Sequence, residues 1–276
     1  MKDQIKTMRK LQELVLIRDE HYHTGDGSKL DLLNSQIADL REQLVGQTAG
    51  VFDRLYKLTK NHVVIAAMTN GSCSACGMQV PIAQAQQVRL AQHLVTCSGC
   101  GRVLFAEDED CVKNTAEKSE DIRTGVTRFS AQELMIHDLK ASTREEAVAE
   151  LATLMEKGKF ISNAEAMIAS ALGRESILST AMDRGVAFPH VRGVEGGGLT
   201  FALGVSKNGI DWDGKHKVNI VILSAIPVAV SSFYLRLLAD LVQSFQKKDA
   251  MKNIIAADSE AALWKLLIKV TRSFVK

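Results

Sequence analysis

Four cysteines have the spacing of metal ligands. Cys73 and Cys76 form one CxxC pair, and Cys97 and Cys100 form a second, with 20 residues between the pairs. Two residues between thiolates let one tight turn direct both sulfurs at the same ion, and a glycine follows each pair. Two such turns complete a tetrahedral site without an open coordination position. The spacing therefore predicts a structural site for Zn²⁺ with these four thiolates as ligands.

Redox chemistry at either CxxC pair and an iron–sulfur cluster are the competing interpretations of this pattern. Two matched pairs, each followed by a glycine, favour a closed metal site over both. The fifth cysteine, Cys111, lies in a hydrophilic stretch and is interpreted as a free thiol.

One histidine has surroundings that suit phosphoryl transfer, although a structural role is the more common one for an isolated histidine. Such transfer needs a nucleophile that is unprotonated near neutral pH, and imidazole has an ordinary pKa of about 6.5. It also needs positive charge to hold the oxyanions of the moving group. His190 follows a strand-like run and Pro189, and Arg174 lies 16 residues upstream at the predicted end of a helix. We assign no role to the remaining histidines, which are His21, His23, His62, His93, His137 and His216.

The amino-terminal segment has the periodicity of helices that pack along a seam. Apolar residues recur at steps of three and four on both sides of the breaker Gly25-Asp26-Gly27, which predicts an α-helical hairpin (coiled coil) with a longer second arm. The hairpin either buries its own seam or forms a homodimer, and the short seam leaves both open. The predicted seam residues are Met8, Leu11, Val15, Tyr22, Leu33, Ile37, Leu40, Leu44, Val51 and Leu58.

From about Phe129 the pattern becomes mixed α/β. Helix-capping residues precede apolar periodic segments at Ser142-Thr143, Asn163 and Ser259, and apolar strand-like runs occur at 200–205 and 218–225. Helices interleaved with short apolar strands predict a mixed sheet flanked by helices.

A chain of 276 residues is long for one core and natural for more than one domain. We predict a multidomain protein, with the helical hairpin at 1–66, a small β zinc ribbon at 67–108, a linker at 109–127 and the α/β domain at 128–276. The hydrophilic stretch from Glu107 to Arg123 indicates the linker.

The charge and hydropathy patterns argue against two classes of partner. Residues 1–120 contain 14 basic and 15 acidic residues and residues 121–276 contain 20 and 17, so neither half has the basic excess of nucleic-acid-binding proteins. The longest apolar run, 218–230, is shorter than the about 20 residues of a membrane helix, and the amino terminus lacks the pattern of a secretory signal. We expect a soluble, cytoplasmic protein without a membrane partner. Nucleic-acid binding by the ribbon is the less favoured alternative, because Arg89 and Arg102 are the only basic residues between Gly71 and Ala106.

Each half of the chain resembles a known family. NGSCSACGMQVP and VTCSGCGRVLFAED, within residues 1–110, resemble the bacterial family with a helical hairpin and a C4-type zinc ribbon. The carboxy-terminal half resembles the IIA domain of the bacterial sugar phosphotransferase system, of the fructose–mannitol and nitrogen-regulatory class. Its matching motifs are GRESILST from Gly173, GVAFPH from Gly185, GIDWD from Gly209 and LRLLADL from Leu235.

The second resemblance implies specific roles. His190 would accept the phosphoryl group on Nε2 from the histidine phosphocarrier protein, and Arg174 matches the active-site arginine of the family. A second histidine often precedes the leucine-rich helix in this family, and Tyr234 occupies that position here. A tyrosine can donate a hydrogen bond but does not share a proton near neutral pH as imidazole does. Tyr234 is therefore a candidate second site residue. A tyrosine in place of the second histidine would slow or retune the transfer.

These features predict a phosphocarrier or regulatory protein whose zinc ribbon binds a partner. The alternatives are a sugar-transport IIA component that passes phosphate to a separate IIB protein, and a zinc-ribbon interaction scaffold that is not phosphorylated. The fused front half and Tyr234 favour regulation of a target protein over transport. If the chain is active, it is a phosphotransferase component with a phosphohistidine intermediate.

Overall fold

Helices and a small sheet make up the first half of the chain, and a mixed sheet with helices makes up the second. The computed structural model describes residues 1–24, 30–59, 62–69, 71–106, 124–194, 198–227, 231–246 and 248–275. The chain divides into two compact units, Met1–Glu109 and Asp110–Lys276. The predicted turn at Gly25-Asp26-Gly27, the stretch from Glu107 to Arg123 and Cys111 lie outside the described residues.

The amino-terminal region is helical, as predicted, but its second arm is interrupted. Helix α1 spans Lys2–Thr24, α2 spans Leu30–Glu42 and α3 spans Gln47–Leu58. Between α2 and α3 the chain turns at Gly46, whose φ of 58° lies in the region that favours glycine. The predicted single, longer second arm is therefore wrong, because α2 and α3 are each shorter than α1.

The seam of these helices is shared with the neighbouring sheet. Met8, Leu11 and Val15 of α1 are buried in one cluster. The rest of the cluster comes from the helices and from the strands beside them: Ile5, Leu44, Phe52, Leu55, Val64, Ile65 and Val103. These seam residues are thus packed against elements of the same chain. Leu58, a predicted seam residue, is 71% exposed, and Leu55 is buried in its place.

The ribbon sheet contains β1 (Ile65–Thr69), β2 (Ser72–Cys73), β3 (Val95–Thr96) and β4 (Val103–Ala106). The strand order is β2-β1-β4-β3, with β1 parallel to β4 and the other pairs antiparallel. Helix α4 (Ile82–Leu90), which was not predicted, lies in the chain between the two cysteine pairs. The boundary predicted after residue 66 falls inside β1, and the helices and the ribbon form one compact unit.

The second unit is built on a mixed sheet, as predicted. The strand order is β5-β9-β10-β7-β6, and β8 also pairs with β10, farther along that strand than β7. The long hairpin of β9 and β10 is antiparallel, whereas β7 and β8 run parallel to β10. The strands are β5 Met135–Ile136, β6 Ala181–Met182, β7 Val186–Ala187, β8 His190–Val194, β9 Thr200–Asp211 and β10 Lys217–Pro227.

Helices pack on this sheet, and three of them begin at the predicted caps. The side chains of Thr143, Asn163 and Ser259 each accept a hydrogen bond from the backbone N–H three residues later. The helices are α5 Arg144–Lys157, α6 Ala164–Ile177, α7 Ser231–Phe245, α8 Lys248–Ile255 and α9 Glu260–Thr271. The predicted linker ended at residue 127, but a 3-10 turn at Gly125–Arg128 already places Val126 in the core of this unit. In the described parts of the chain, no helix has both the length and the apolar character required to cross a bilayer.

We expect Thr143→Ala to destabilise the second unit by about 1 kcal/mol, because it removes the side chain that caps α5. Thr143 Oγ1 accepts from the Glu146 amide at 3.2 Å, and the Glu146 carboxylate accepts from the Thr143 amide at 3.2 Å. Chemical unfolding can be followed by tryptophan fluorescence, since both tryptophans, Trp212 and Trp264, belong to this unit.

Thr153→Ala provides the matched control for that experiment. Thr153 is exposed in the interior of the same helix, where alanine has the higher helix propensity. Equal stability losses in both variants would show that the cap contributes nothing specific.

Candidate functional site

The four cysteine sulfurs lie together. Sγ of Cys73 is 3.7 Å from Sγ of Cys100, and Sγ of Cys76 is 3.6 Å from Sγ of Cys97. All four sulfurs lie within 4.8 Å of one another. Zinc–sulfur bonds of about 2.3 Å in a tetrahedron place neighbouring sulfurs about 3.8 Å apart, whereas a disulfide requires about 2.05 Å. The observed spacing fits a closed four-thiolate metal site.

The two cysteine turns have the same backbone geometry. The Gly77 amide donates to the Cys73 carbonyl at 2.8 Å, and the Gly101 amide donates to the Cys97 carbonyl at 2.8 Å. Both glycines have positive φ, 75° and 71°, in the region that favours glycine. Because each turn closes on itself in this way, its two sulfurs face the same point without help from distant residues.

His190 is placed by an interruption in a strand. β7 and β8 both pair with β10, and Phe188 and Pro189 separate β7 from His190, the first residue of β8. Proline has no N–H to donate, but its carbonyl accepts from the Ser224 amide at 3.0 Å, so β10 still holds the chain at this point. His190 is only 2% exposed. His190 is therefore the first residue of β8, and its side chain is held in a fixed, buried position.

The tautomer of His190 follows from its partners. Nδ1 lies 2.9 Å from the Phe188 carbonyl oxygen, which can only accept, so Nδ1 carries the hydrogen. Nε2 then has its lone pair available, and it accepts from Nε–H of Arg174 at 3.3 Å. The structure thus brings together the two residues that the sequence singled out, and Nε2 is the ring nitrogen with an available lone pair.

Arg174 is held by its own helix end. It lies in the last turn of α6 and is 7% exposed. One guanidinium nitrogen donates to the Leu178 carbonyl at 2.5 Å, while Nε faces His190. A guanidinium with one nitrogen anchored to the backbone presents its charge at a constant place, which suits stabilisation of a transferring phosphoryl group.

A buried carboxylate supports this arrangement, and the sequence analysis did not identify it. Glu175 is 3% exposed and accepts from the Thr180 amide at 3.1 Å and from the Thr180 hydroxyl at 2.5 Å. It also accepts from Nε1 of Trp212 at 2.8 Å. These bonds hold the segment that contains the Leu178 carbonyl, the anchor of Arg174. The only sequence signal was that Glu175 and Trp212 both lie in matched motifs.

Tyr234 packs against the histidine. The centroids of the two rings are 5.1 Å apart and tilted by 46°, and Tyr234 is 1% exposed. The position that the resemblance associates with a second histidine is thus next to His190 in space. Arg192 was also missed by the sequence analysis, and its Cζ lies 5.6 Å from the centroid of the Tyr234 ring.

Three histidines without a predicted role contact nearby carboxylates. Nδ1 of His62 contacts Asp19 at 2.7 Å, and Nδ1 of His137 contacts Glu260 at 2.7 Å. Nδ1 of His216 contacts Asp213 at 2.8 Å. Burial alone would raise the pKa of Asp213, but hydrogen bonds from Ser179, His216 and nearby amides outweigh burial and hold that pKa below its ordinary value. These contacts account for the three histidines as structural residues.

Comparison with known families matches both parts of the chain. Residues 128–270 match the family described as the phosphoenolpyruvate-dependent sugar phosphotransferase system, EIIA 2. Residues 72–104 match the C4-type zinc ribbon domain.

Individual relatives match the second half. The fructose-specific EIIABC component of Bacillus subtilis is 24% identical over 50% of this chain, which spans 22% of that protein. The fructose-specific EIIA component of Haloferax volcanii is 23% identical over 53% of this chain and 97% of that protein. The crystal structure of the nitrogen regulatory protein IIA-Ntr from Neisseria meningitidis aligns with a TM-score of 0.47 and 19% identity, covering 51% of this chain and 98% of that one.

The matched region contains the whole of the histidine site, from α6 with Arg174 through His190 to Tyr234. It also covers slightly more than half of the chain. The protein therefore belongs to the EIIA 2 family of the phosphoenolpyruvate-dependent sugar phosphotransferase system.

Proposed function

We propose that this chain is a phosphocarrier and regulatory protein that accepts a phosphoryl group on Nε2 of His190 from the histidine phosphocarrier protein. The observation that carries the proposal is the pair of hydrogen bonds on the imidazole. The Phe188 carbonyl holds the hydrogen on Nδ1, and Arg174 faces Nε2. A buried imidazole in this tautomer, next to a fixed guanidinium, has the nucleophile and the charge that phosphoryl transfer requires.

The transfer follows from this geometry. The Nε2 lone pair of His190 attacks the phosphorus of the phosphocarrier's phosphohistidine, and the N–P bond of the donor breaks with its electron pair returning to the donor imidazole. The hydrogen on Nδ1 of His190 stays in place, because its acceptor is a backbone carbonyl, and the phosphorylated ring therefore carries a positive charge. Arg174 offsets negative charge on the oxygens of the moving group.

Tyr234 supports regulation over onward transport. A phenol packed against His190 offers no group that exchanges a proton near neutral pH, so the site is better suited to holding a phosphoryl group than to relaying it. In the regulatory role, the phosphorylation state of His190 changes the surface that a target protein recognises. The transport alternative assigns the same chemistry to a component that passes the group to a IIB protein.

We further propose that the four thiolates bind Zn²⁺ and that the ribbon with its helices is the partner-binding module. The sulfur positions fit a tetrahedral ion, and two closed cysteine turns leave no position for substrate. The metal then acts structurally, by joining the two turns, and it has no part in the phosphoryl chemistry.

We expect His190→Ala to abolish labelling by phosphoenolpyruvate, enzyme I and the phosphocarrier, because the nucleophile is lost. Arg174→Ala should slow labelling by about 10²–10³-fold, the usual effect of removing one charge-stabilising donor. Acid-labile label on the full-length chain measures both effects. His137→Ala, which removes a partly exposed histidine from the same unit, should label as the unmodified protein does. Label that persists in His190→Ala would refute the assignment.

We expect one zinc ion per chain, bound by the four cysteines. Chelation should unfold the first unit and reduce the far-ultraviolet circular dichroism signal, since the ion supplies part of the folding free energy of a small ribbon. Fluorescence of Trp212 and Trp264 should not change, because both lie in the second unit. Cys97→Ser should lose the metal, and Cys111→Ser should retain it. Native mass spectra of metal-free protein with four free thiols at the ligand positions would contradict the zinc site.

We expect Tyr234→His to increase the rate of transfer from phosphorylated protein to a fructose-class IIB domain, since imidazole restores a group that exchanges protons near neutral pH. Tyr234→Phe is the control, because it keeps the ring and removes only the hydroxyl. The measurement is the loss of label from His190 after the IIB domain is added. Rapid transfer by the unmodified protein would favour the transport alternative instead.

A further inference from the structure

Arg192 lies on the same side of strand β8 as the phosphoryl acceptor. His190 pairs with Ser224 of β10, and Arg192 pairs with Ile226, two residues farther along both strands. Successive side chains of a strand point to opposite faces, so residues two apart share a face. The register shift in this pairing occurs after Ile226, at Gly193 with its φ of 81°, and so it does not disturb the alternation between His190 and Arg192.

The ring of Tyr234 contacts both of these side chains. Its centroid is 5.1 Å from that of the His190 ring and 5.6 Å from Cζ of Arg192. A guanidinium at this distance over a phenol ring is attracted by the electrons of the ring. Tyr234 therefore keeps a second cation beside the acceptor.

The charge of the phosphorylated site favours such a cation. A phosphoryl group carries nearly two negative charges at neutral pH. Phosphorylated His190, with its hydrogen kept on Nδ1, carries one positive charge on its ring. Arg174 supplies another, and one of its nitrogens is already engaged by the Leu178 carbonyl. Its neighbour in sequence, Glu175, adds a buried negative charge. Since His190 and Tyr234 are almost fully buried, solvent offers little compensation at this position.

We propose that Arg192 is a second phosphoryl-binding residue, whose guanidinium moves from the Tyr234 ring to donate hydrogen bonds to the phosphoryl oxygens on Nε2 of His190. This inference rests on the proposed function, and it adds a named residue to that site. The planar guanidinium can donate to two phosphoryl oxygens at once. Tyr234 then has a defined purpose in place of a second histidine: it holds the arginine near the acceptor while the phosphoryl group is absent.

Inorganic phosphate titrated into the full-length chain tests the binding role without any protein donor. Amide and side-chain NMR shifts of His190 and Arg192 should saturate together in the unmodified protein. Arg192→Met removes the charge but keeps an unbranched apolar stem, and it should weaken phosphate binding about 10-fold, as expected for loss of a charged hydrogen bond. Arg192→Lys should recover part of the affinity, because it restores a cation.

Arg128→Met is the matched control. Arg128 also lies over an aromatic ring of this unit, with its Cζ 4.9 Å from the centroid of Phe129. The Arg128→Met variant should bind phosphate as the unmodified protein does. Unchanged phosphate affinity in Arg192→Met, or phosphate shifts that do not include Arg192, would overturn the inference.

The equilibrium with the phosphocarrier provides the second measurement. Arg192→Met should lower the ratio of phosphorylated chain to phosphorylated carrier about 10-fold, and Arg192→Lys should recover part of it. An unchanged ratio in Arg192→Met would also count against the role of Arg192. If the phosphocarrier labels no form of the chain, the proposed donor is wrong, and the phosphate titration still decides the role of Arg192.

Discussion

The hydrogen bond from Nδ1 of His190 to the Phe188 carbonyl joins two residues that flank Pro189. Because it spans only two positions of the chain, it persists wherever β7 and β8 keep their pairing with β10. It leaves Nε2 as the nitrogen with a lone pair, and Arg174 faces that atom. The functional roles inferred for the neighbouring residues all depend on which nitrogen carries the hydrogen.

His190, Arg174 and Glu175 are all buried, so water does little to screen the charges of the arginine and the glutamate near Nε2. Arg174 and Glu175 are consecutive, buried and oppositely charged, yet each has its own partners. Arg174 is directed at His190 and Leu178, and Glu175 accepts from Thr180 and Trp212. The carboxylate thus fixes the backbone near the arginine without drawing the guanidinium away from the histidine. Such a division keeps the positive charge available to an incoming anion.

The first unit uses two sources of stability at once. Its helices share an apolar cluster with β1 and β4, which gives the ribbon a core that its short strands could not form alone. A second cluster includes Cys73 and Cys97 together with α4. The two cysteine turns are closed by their own backbone bonds, but only a shared ion would tie one turn to the other.

The sequence alone determined the features that depend on nearby residues. The cysteine spacing indicated the metal site because two residues between thiolates suffice to form each turn, and Thr143, Asn163 and Ser259 marked helix starts because a cap bonds an amide three positions away. The resemblance to known motifs identified His190 and Arg174. Tertiary structure decided the rest. The break between α2 and α3, the bond from Trp212 to Glu175, and the meeting of Arg192 and His190 on Tyr234 depend on how separate elements pack. Local patterns carry little information about such contacts, because the partners are brought together only when the sheet and its helices assemble.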